Sequence, residues 1–147
     1  MIFDSLSVSY FREFTIRFWL YGRKYARVDF RIETDFGVIL FEVDERQHAN
    51  YAPAKESERM RRIYAAYREQ NDGYVHIVRF NPDPYRTNKG LIVRHTREEH
   101  FAAIQLLLSY KPKHAFTISY CFYRLENGLP EILRNDVALR EHVGIVI

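Results

Sequence analysis

From Tyr25 to Glu33 apolar and polar residues alternate, with Val28, Phe30 and Ile32 on one face and Asp29, Arg31 and Glu33 on the other. That is the period of a half-buried strand. Asp35-Phe36-Gly37 makes a turn, and Val38 to Val43 follows as a continuous apolar, β-branched run, as a central strand covered on both faces requires. Pro53 suits the first turn of a helix. Met60, Ile63, Tyr64 and Tyr67 then recur at helical spacing until Asn71-Asp72-Gly73 stops it. Tyr74 to Phe80 is a third apolar strand, closed by Asn81-Pro82-Asp83-Pro84, which cannot continue a ladder. Thr96-Arg97-Glu98-Glu99 reads as a capping box opening an amphipathic helix through Phe101, Ile104, Leu107 and Leu108. Ala115 to Tyr123 is a fourth strand. Residues 8–20 are aromatic-rich and fit helix or strand alike, and Pro130 to Ile147 predicts a short helix and then an apolar end. The order β-β-α-β-α-β predicts one α/β domain over residues 1–147, a mixed central sheet of about four to five strands flanked by helices.

Composition narrows the class. A chain of 147 residues is long enough to bury roughly 68–70% of its unfolded surface. Its 47% hydrophobic and 28% charged content is that of a globular protein. No apolar run approaches the ~18 residues of a membrane span, and no charged-then-apolar leader opens the chain. The single cysteine, Cys121, lies in an apolar run and reads as a core residue in a reducing compartment. An intracellular protein of the cytoplasm or nucleus is expected. Net charge is +3 and the pI is near 9.0, a mild basicity compatible with a nucleic-acid partner. Its distribution says more. Arg59, Arg61 and Arg62 follow an acidic segment, and Arg79, Arg86, Lys89 and Arg94 run from the end of the third strand onward.

The chemistry concentrates between Arg27 and His48. Asp29 sits on one strand, and the next ends in Glu42-Val43-Asp44-Glu45 followed by Arg46-Gln47-His48. Side chains two apart on a strand share a face, so Glu42 and Asp44 point the same way, and a hairpin partner brings Asp29 alongside. Unpaired acids at the edge of an apolar core repel one another and are costly to desolvate. Hence a hard cation, Mg²⁺ or Mn²⁺, is expected on Asp29, Glu42 and Asp44. Such an ion polarises a phosphate and lowers the pKa of bound water. Against this stands the plain alternative that the acids merely pair with Arg27 or Arg46. On the helical wheel Glu56 falls on the stripe of Met60, Ile63 and Tyr67 and so points at the sheet, while Arg61 and Arg62 fall off it. Arg59 flanks Glu56 and could offer a cation to a phosphate.

These blocks resemble the PD-(D/E)XK, restriction-endonuclease-like nuclease superfamily. The likeness is to a group found in large DNA viruses and algae. It rests on Arg27-Val28-Asp29, on Glu42-Val43-Asp44-Glu45-Arg46-Gln47-His48-Ala49-Asn50-Tyr51, on Glu56-Ser57-Glu58-Arg59, and on Arg79-Phe80-Asn81-Pro82-Asp83-Pro84-Tyr85. It spans residues 25–123, and four spaced blocks are far more specific than any one. The resemblance implies that Asp29 and Glu42 are metal ligands with the Val43 carbonyl a third. Val28 stands where the pattern has proline, and Asp44 stands where it has lysine, two residues after Glu42.

The expectation is a Mg²⁺- or Mn²⁺-dependent nuclease. Asp29, Glu42, Val43 and Asp44 would hold the metal, Gln47 or His48 would orient water or phosphate, and Glu56 would face the acids. Arg59 would stabilise developing charge. Arg61, Arg62, Arg79, Asn81, Arg86 and Lys89 would contact nucleic acid, DNA ahead of RNA. A homodimer is one option for assembly, and no membrane is involved. The alternative is a non-catalytic nucleic-acid-binding or assembly protein on the same fold, which loss of the lysine would produce. A zinc hydrolase is disfavoured, because no two histidines stand at helical i,i+4 spacing with an acid between.

Overall fold

A computed structural model of the chain describes residues 2–20, 22–48, 52–133 and 136–147. A short helix, α1 (Ile2–Ser5), precedes three antiparallel strands, β1 (Tyr10–Leu20), β2 (Arg23–Thr34) and β3 (Gly37–Val43). A 3₁₀ turn (Glu45–His48) leads to α2 (Pro53–Gln70), and β4 (Tyr74–Phe80) returns parallel to β3. A small hairpin, β5 (Tyr85–Arg86) and β6 (Ile92–Val93), then leads to α3 (Arg97–Ser109) and β7 (Phe116–Cys121), which is parallel to β4. A second small hairpin, β8 (Leu125–Glu126) and β9 (Leu129–Pro130), precedes a 3₁₀ turn (Glu131–Leu133), α4 (Val137–Arg140) and β10 (Val143–Val146). The main sheet has six strands in the order β1-β2-β3-β4-β7-β10, so the fold is α/β with a mixed sheet.

Two strands more than the sequence pattern counts with certainty come from its ambiguous ends. Residues 8–20 resolve as a strand because Phe14 and Ile16 pack on the core under α2 while Tyr10 reaches the opposite one. The apolar tail adds β10 parallel to β7, after the short helix that the pattern expects.

Neighbouring residues of β3 show why helices cover both faces. Val38 and Leu40 pack with Met60, Ile63 and Tyr67 of α2, whereas Ile39 and Phe41 pack with Ile104 and Leu107 of α3. The continuous apolar run is therefore buried on both sides, as its composition requires. β2 departs from its simple alternation: Val28 belongs to the α2 core, but Phe30 and Ile32 belong to the α3 core. The switch falls beside Glu13, which lies between the β1 partners of Phe30 and Val28 and has φ +48°. A left-handed residue there lets the long strand coil from one core to the other. The capping box is present: Thr96 accepts from the Glu99 N–H at 3.1 Å and Glu99 accepts from the Thr96 N–H at 2.6 Å. No helix among the described residues is long and apolar enough to cross a membrane.

Gly37 opens β3 at φ +134°, and a Cβ there would meet the Tyr74 carbonyl oxygen at 2.3 Å and its nitrogen at 2.9 Å. Both obstacles are backbone, so neither can swing away. Gly37→Ala should therefore destabilise by about 3 kcal/mol and lower Tm by roughly 6–12 °C, read by thermal denaturation. An unchanged Tm would refute the close β3–β4 approach at Gly37–Tyr74.

Candidate functional site

Strands β3, β4 and β7 finish together, with Val43 opposite Phe80 and Phe80 opposite Cys121. The ladders run one step further, because Asp44 N–H donates to the Phe80 carbonyl at 2.7 Å and Asn81 N–H to that of Cys121 at 3.0 Å. Alternation decides what lies at this end. Glu42 and Asp44 continue the Leu40 face, and Arg79 continues the Ile77 face, so all three turn toward α2. Glu56 is buried on the inward stripe of α2 with Met60 and Ile63, as the wheel predicts.

The result is a buried ion network. Arg79, 1% exposed, donates from Nε to Asp44 Oδ2 at 2.5 Å and from Nη2 to Glu56 Oε2 at 2.6 Å. Asp44, fully buried, also accepts the Tyr123 hydroxyl. Burial alone would depress the Arg79 guanidinium, but Asp44 and then Glu56 outweigh it and hold its pKa well above the ordinary value. Burial, reinforced by the Asp44 charge, pushes the Tyr123 phenol up, so it serves as a neutral donor. Glu42 forms a second pair with Arg59, whose other nitrogen donates to the Arg27 carbonyl at 2.7 Å. Burial raises the Glu42 carboxyl above its usual range despite the opposing pull of Arg59 and Arg79. Asp29 precedes Phe30, whose partner is Phe41, and its Oδ2 accepts the Val43 N–H at 2.7 Å. It lines an open groove with Arg12, Glu13, Phe30, Val43 and Glu45.

The expected three-acid metal set is corrected by this arrangement. Asp44 is committed to Arg79 and Tyr123 inside the domain, because a fully buried aspartate on an inward face needs a partner cation. Among the described residues no group of three or more His, Cys, Asp and Glu side chains could hold a metal ion. The smaller set of Asp29, Glu42 and the Val43 carbonyl fits better. Asp29 and Glu42 each lie one residue beyond the Phe30–Phe41 pair that ends the β2–β3 ladder, and each hydrogen bond above engages one carboxylate oxygen of the two. Mg²⁺ is commonly held by one or two carboxylates plus substrate phosphates.

Other expected residues divide cleanly. Arg79 and Asn81 are buried, which corrects their assignment to a nucleic-acid rim. Asn81 instead ties loops together, donating to the Phe122 carbonyl at 2.8 Å and accepting from the Asp83 N–H at 3.1 Å. Arg61 is clamped on Asp136 at 2.5 Å, joining α2 to the segment before α4, while exposed Arg62 pairs with Glu58 one turn away. Arg86 and Lys89 are exposed on the loop after β4. Gln47 accepts the Arg124 N–H at 2.6 Å, so it fixes a loop. The side chain of His48 and residues 49–51 lie outside the described residues. Sequence reasoning missed Tyr123 and the central place of Arg79. The available signal was an arginine inside an otherwise apolar strand, since full burial of Arg requires paired charge.

Comparison with protein-family models, with curated proteins and with solved structures finds no match.

Two outcomes follow from the network. Arg79→Met removes the guanidinium that Asp44 and Glu56 share and should cost about 3–5 kcal/mol, and adding Asp44→Asn and Glu56→Gln should recover a large part of it in urea denaturation. A single variant within about 0.5 kcal/mol of wild type would show that the network carries no constraint. The Glu42 carboxyl, raised above its ordinary 4.5, keeps its proton in the folded state after the unfolded chain has lost it. Its contribution is therefore full below pH 4.5 and is lost as pH rises through the folded value. Wild type should lose stability relative to Glu42→Gln between pH 4.5 and 7, and the opposite slope would mean that Arg59 outweighs burial.

Proposed function

We propose that this protein is a metal-dependent nuclease with a restriction-endonuclease-like fold, acting on DNA ahead of RNA. One observation carries the proposal: the four sequence blocks, scattered over residues 27–85, are joined by hydrogen bonds at one end of the sheet. Asp29 reaches Val43, Arg59 reaches both Glu42 and the Arg27 carbonyl, Arg79 joins Asp44 to Glu56, and the Asp83 carboxylate accepts the Arg46 N–H at 2.9 Å. A generic α/β domain has no need to gather these residues. The strand-strand-helix-strand order of the blocks is also the order the resemblance calls for.

Asp29, Glu42 and the Val43 carbonyl would hold Mg²⁺ or Mn²⁺, which would polarise the scissile phosphate and acidify a bound water. Arg59, partly exposed beside Glu42, would meet charge that develops on the phosphate. Arg79, Asp44, Tyr123 and Glu56 hold β3, β4, β7 and α2 in fixed relation.

A specific observation favours a second reading, that of a nucleic-acid-binding protein without turnover. Arg59 and Arg79 already neutralise Glu42 and Asp44, so no cation is needed to make this sheet end stable.

The assay is nicking or degradation of DNA and RNA, in single-stranded, duplex and branched forms, with Mg²⁺ or Mn²⁺. Cleavage should stop with EDTA. Asp29→Asn and Glu42→Gln should each lose about 10³-fold or more in rate, as loss of about 4 kcal/mol of barrier stabilisation implies. Binding without cleavage on every substrate would establish the second reading, and neither binding nor cleavage would end both.

A further inference from the structure

A separate cavity of about 250 Å³ opens on the α2 side of the same sheet end. Four arginines, Arg46, Arg79, Arg86 and Arg124, line it against two glutamates, Glu56 and Glu131. Arg79 is spent on Asp44 and Glu56 beneath the floor. Glu131 approaches Arg124 only at 3.9 Å in an exposed pair. Arg46, Arg86 and Arg124 are exposed and come from three different loops, so the mouth is electropositive. Between mouth and floor the lining is aromatic and apolar, with Tyr85 and Tyr123 among it. The volume lies just below the ~300–1,000 Å³ of ordinary small-molecule sites. That suits one planar group with one phosphate and is too small for an extended ligand.

The loops that form it are held by more than chance contact. Arg46, Gln47 and Phe122 all have left-handed backbones, at φ +53°, +56° and +62°, a conformation that non-glycine residues adopt at a cost. The turn from 45 to 48 is pinned on one side by the bond from Arg46 N–H to Asp83 and on the other by that from Arg124 N–H to Gln47. Both pins sit behind side chains that face the cavity. The groove at Asp29 does not share its lining.

We infer that this cavity binds a single unstacked nucleotide, its phosphate on Arg46 and Arg124 and its base against the tyrosine wall. The inference deepens the nucleic-acid reading and rests on it for the source of the nucleotide, a strand end or an extruded residue. Aromatic side chains accept any base face, while arginines fix the phosphate by paired donors, so phosphate dependence should exceed base preference.

The test is titration of the intact protein with deoxyadenosine 5′-monophosphate in EDTA, followed by calorimetry and by two-dimensional NMR. Saturable binding is expected, with shifts at residues 46–47, 85–86 and 123–124. Arg124→Gln and Arg46→Asn should each weaken it about 10-fold, the asparagine being chosen because it tolerates the left-handed backbone. Deoxyadenosine and inorganic phosphate should each bind at least 10-fold more weakly than the nucleotide. Far-UV circular dichroism and Tm should match wild type in both variants. Absence of saturable binding, insensitivity to both arginine variants, or equal binding of inorganic phosphate would overturn the inference. Because EDTA is present, a protein that cuts DNA yet ignores the mononucleotide fails this inference alone. One that binds it and never cuts fails the nuclease reading alone.

Discussion

The buried guanidinium of Arg79 is the constraint around which the rest of this structure is arranged. A charge 1% exposed in the second-central strand of a sheet must find carboxylates, and it finds one at the end of β3 and one on α2. A buried ion pair is weak evidence for stability, since its desolvation cost rivals its attraction. Its effect on register is another matter. Sliding β4 by one residue would turn Arg79 to the opposite face, into a core built of Phe3, Ile39, Phe41, Ile104, Leu107 and other apolar groups. The buried carboxylates among the described residues, Glu42, Asp44 and Glu56, all lie on the α2 side instead. The network thus selects one alignment of β3, β4 and α2, and Tyr123 extends that choice to the end of β7.

Fixing those elements fixes the geometry around them. Asp29 sits where it does because its carboxylate replaces the next rung of the β2–β3 ladder by accepting the Val43 N–H. The loops after β3 and β4 are pinned by backbone donors rather than by side-chain charge, so Arg46, Arg86 and Arg124 keep their heads in water. Acids are neutralised inside and cations are displayed outside. That is how a chain of only modest net charge presents a positive face at one end of its sheet.

Much of this was legible in periodicity. Continuous apolar character announced β3 and β4, the Thr96–Glu99 box announced α3, and the wheel turned Glu56 inward. Residues 8–20 were illegible because Phe14, Ile16 and Tyr10 serve different cores along one coiled strand, so neither a period of two nor of 3.6 dominates. The Val28–Ile32 switch hides for the same reason: a left-handed residue on the neighbouring strand leaves no mark in β2 itself. Glu42 and Asp44 were correctly set on one face, but spacing within a strand says nothing about which cation arrives. That answer depended on Arg79, thirty-five residues away from Asp44, and only the parallel register of β3 and β4 brings them together.

The two carboxylates of the Glu42-x-Asp44 pair are therefore not equivalent. Arg79 is 2% exposed at its side chain and is shared between Asp44 and Glu56, so giving Asp44 to a metal would break the buried network. Arg59 is 21% exposed and, among the described residues, is anchored otherwise to the Arg27 carbonyl, so it can turn to water on leaving Glu42, at the cost of an uncompensated buried carboxylate. Release of Arg59 would raise the Glu42 carboxyl further, so on the nuclease reading an arriving cation would have to take over its ionisation, and the accompanying phosphate would be a new partner for the displaced guanidinium. Asp44, bound to Arg79 and Tyr123, is an architectural residue. On the proposed reading, the difference between a nuclease and a silent binding protein comes down to whether one partly exposed arginine gives way.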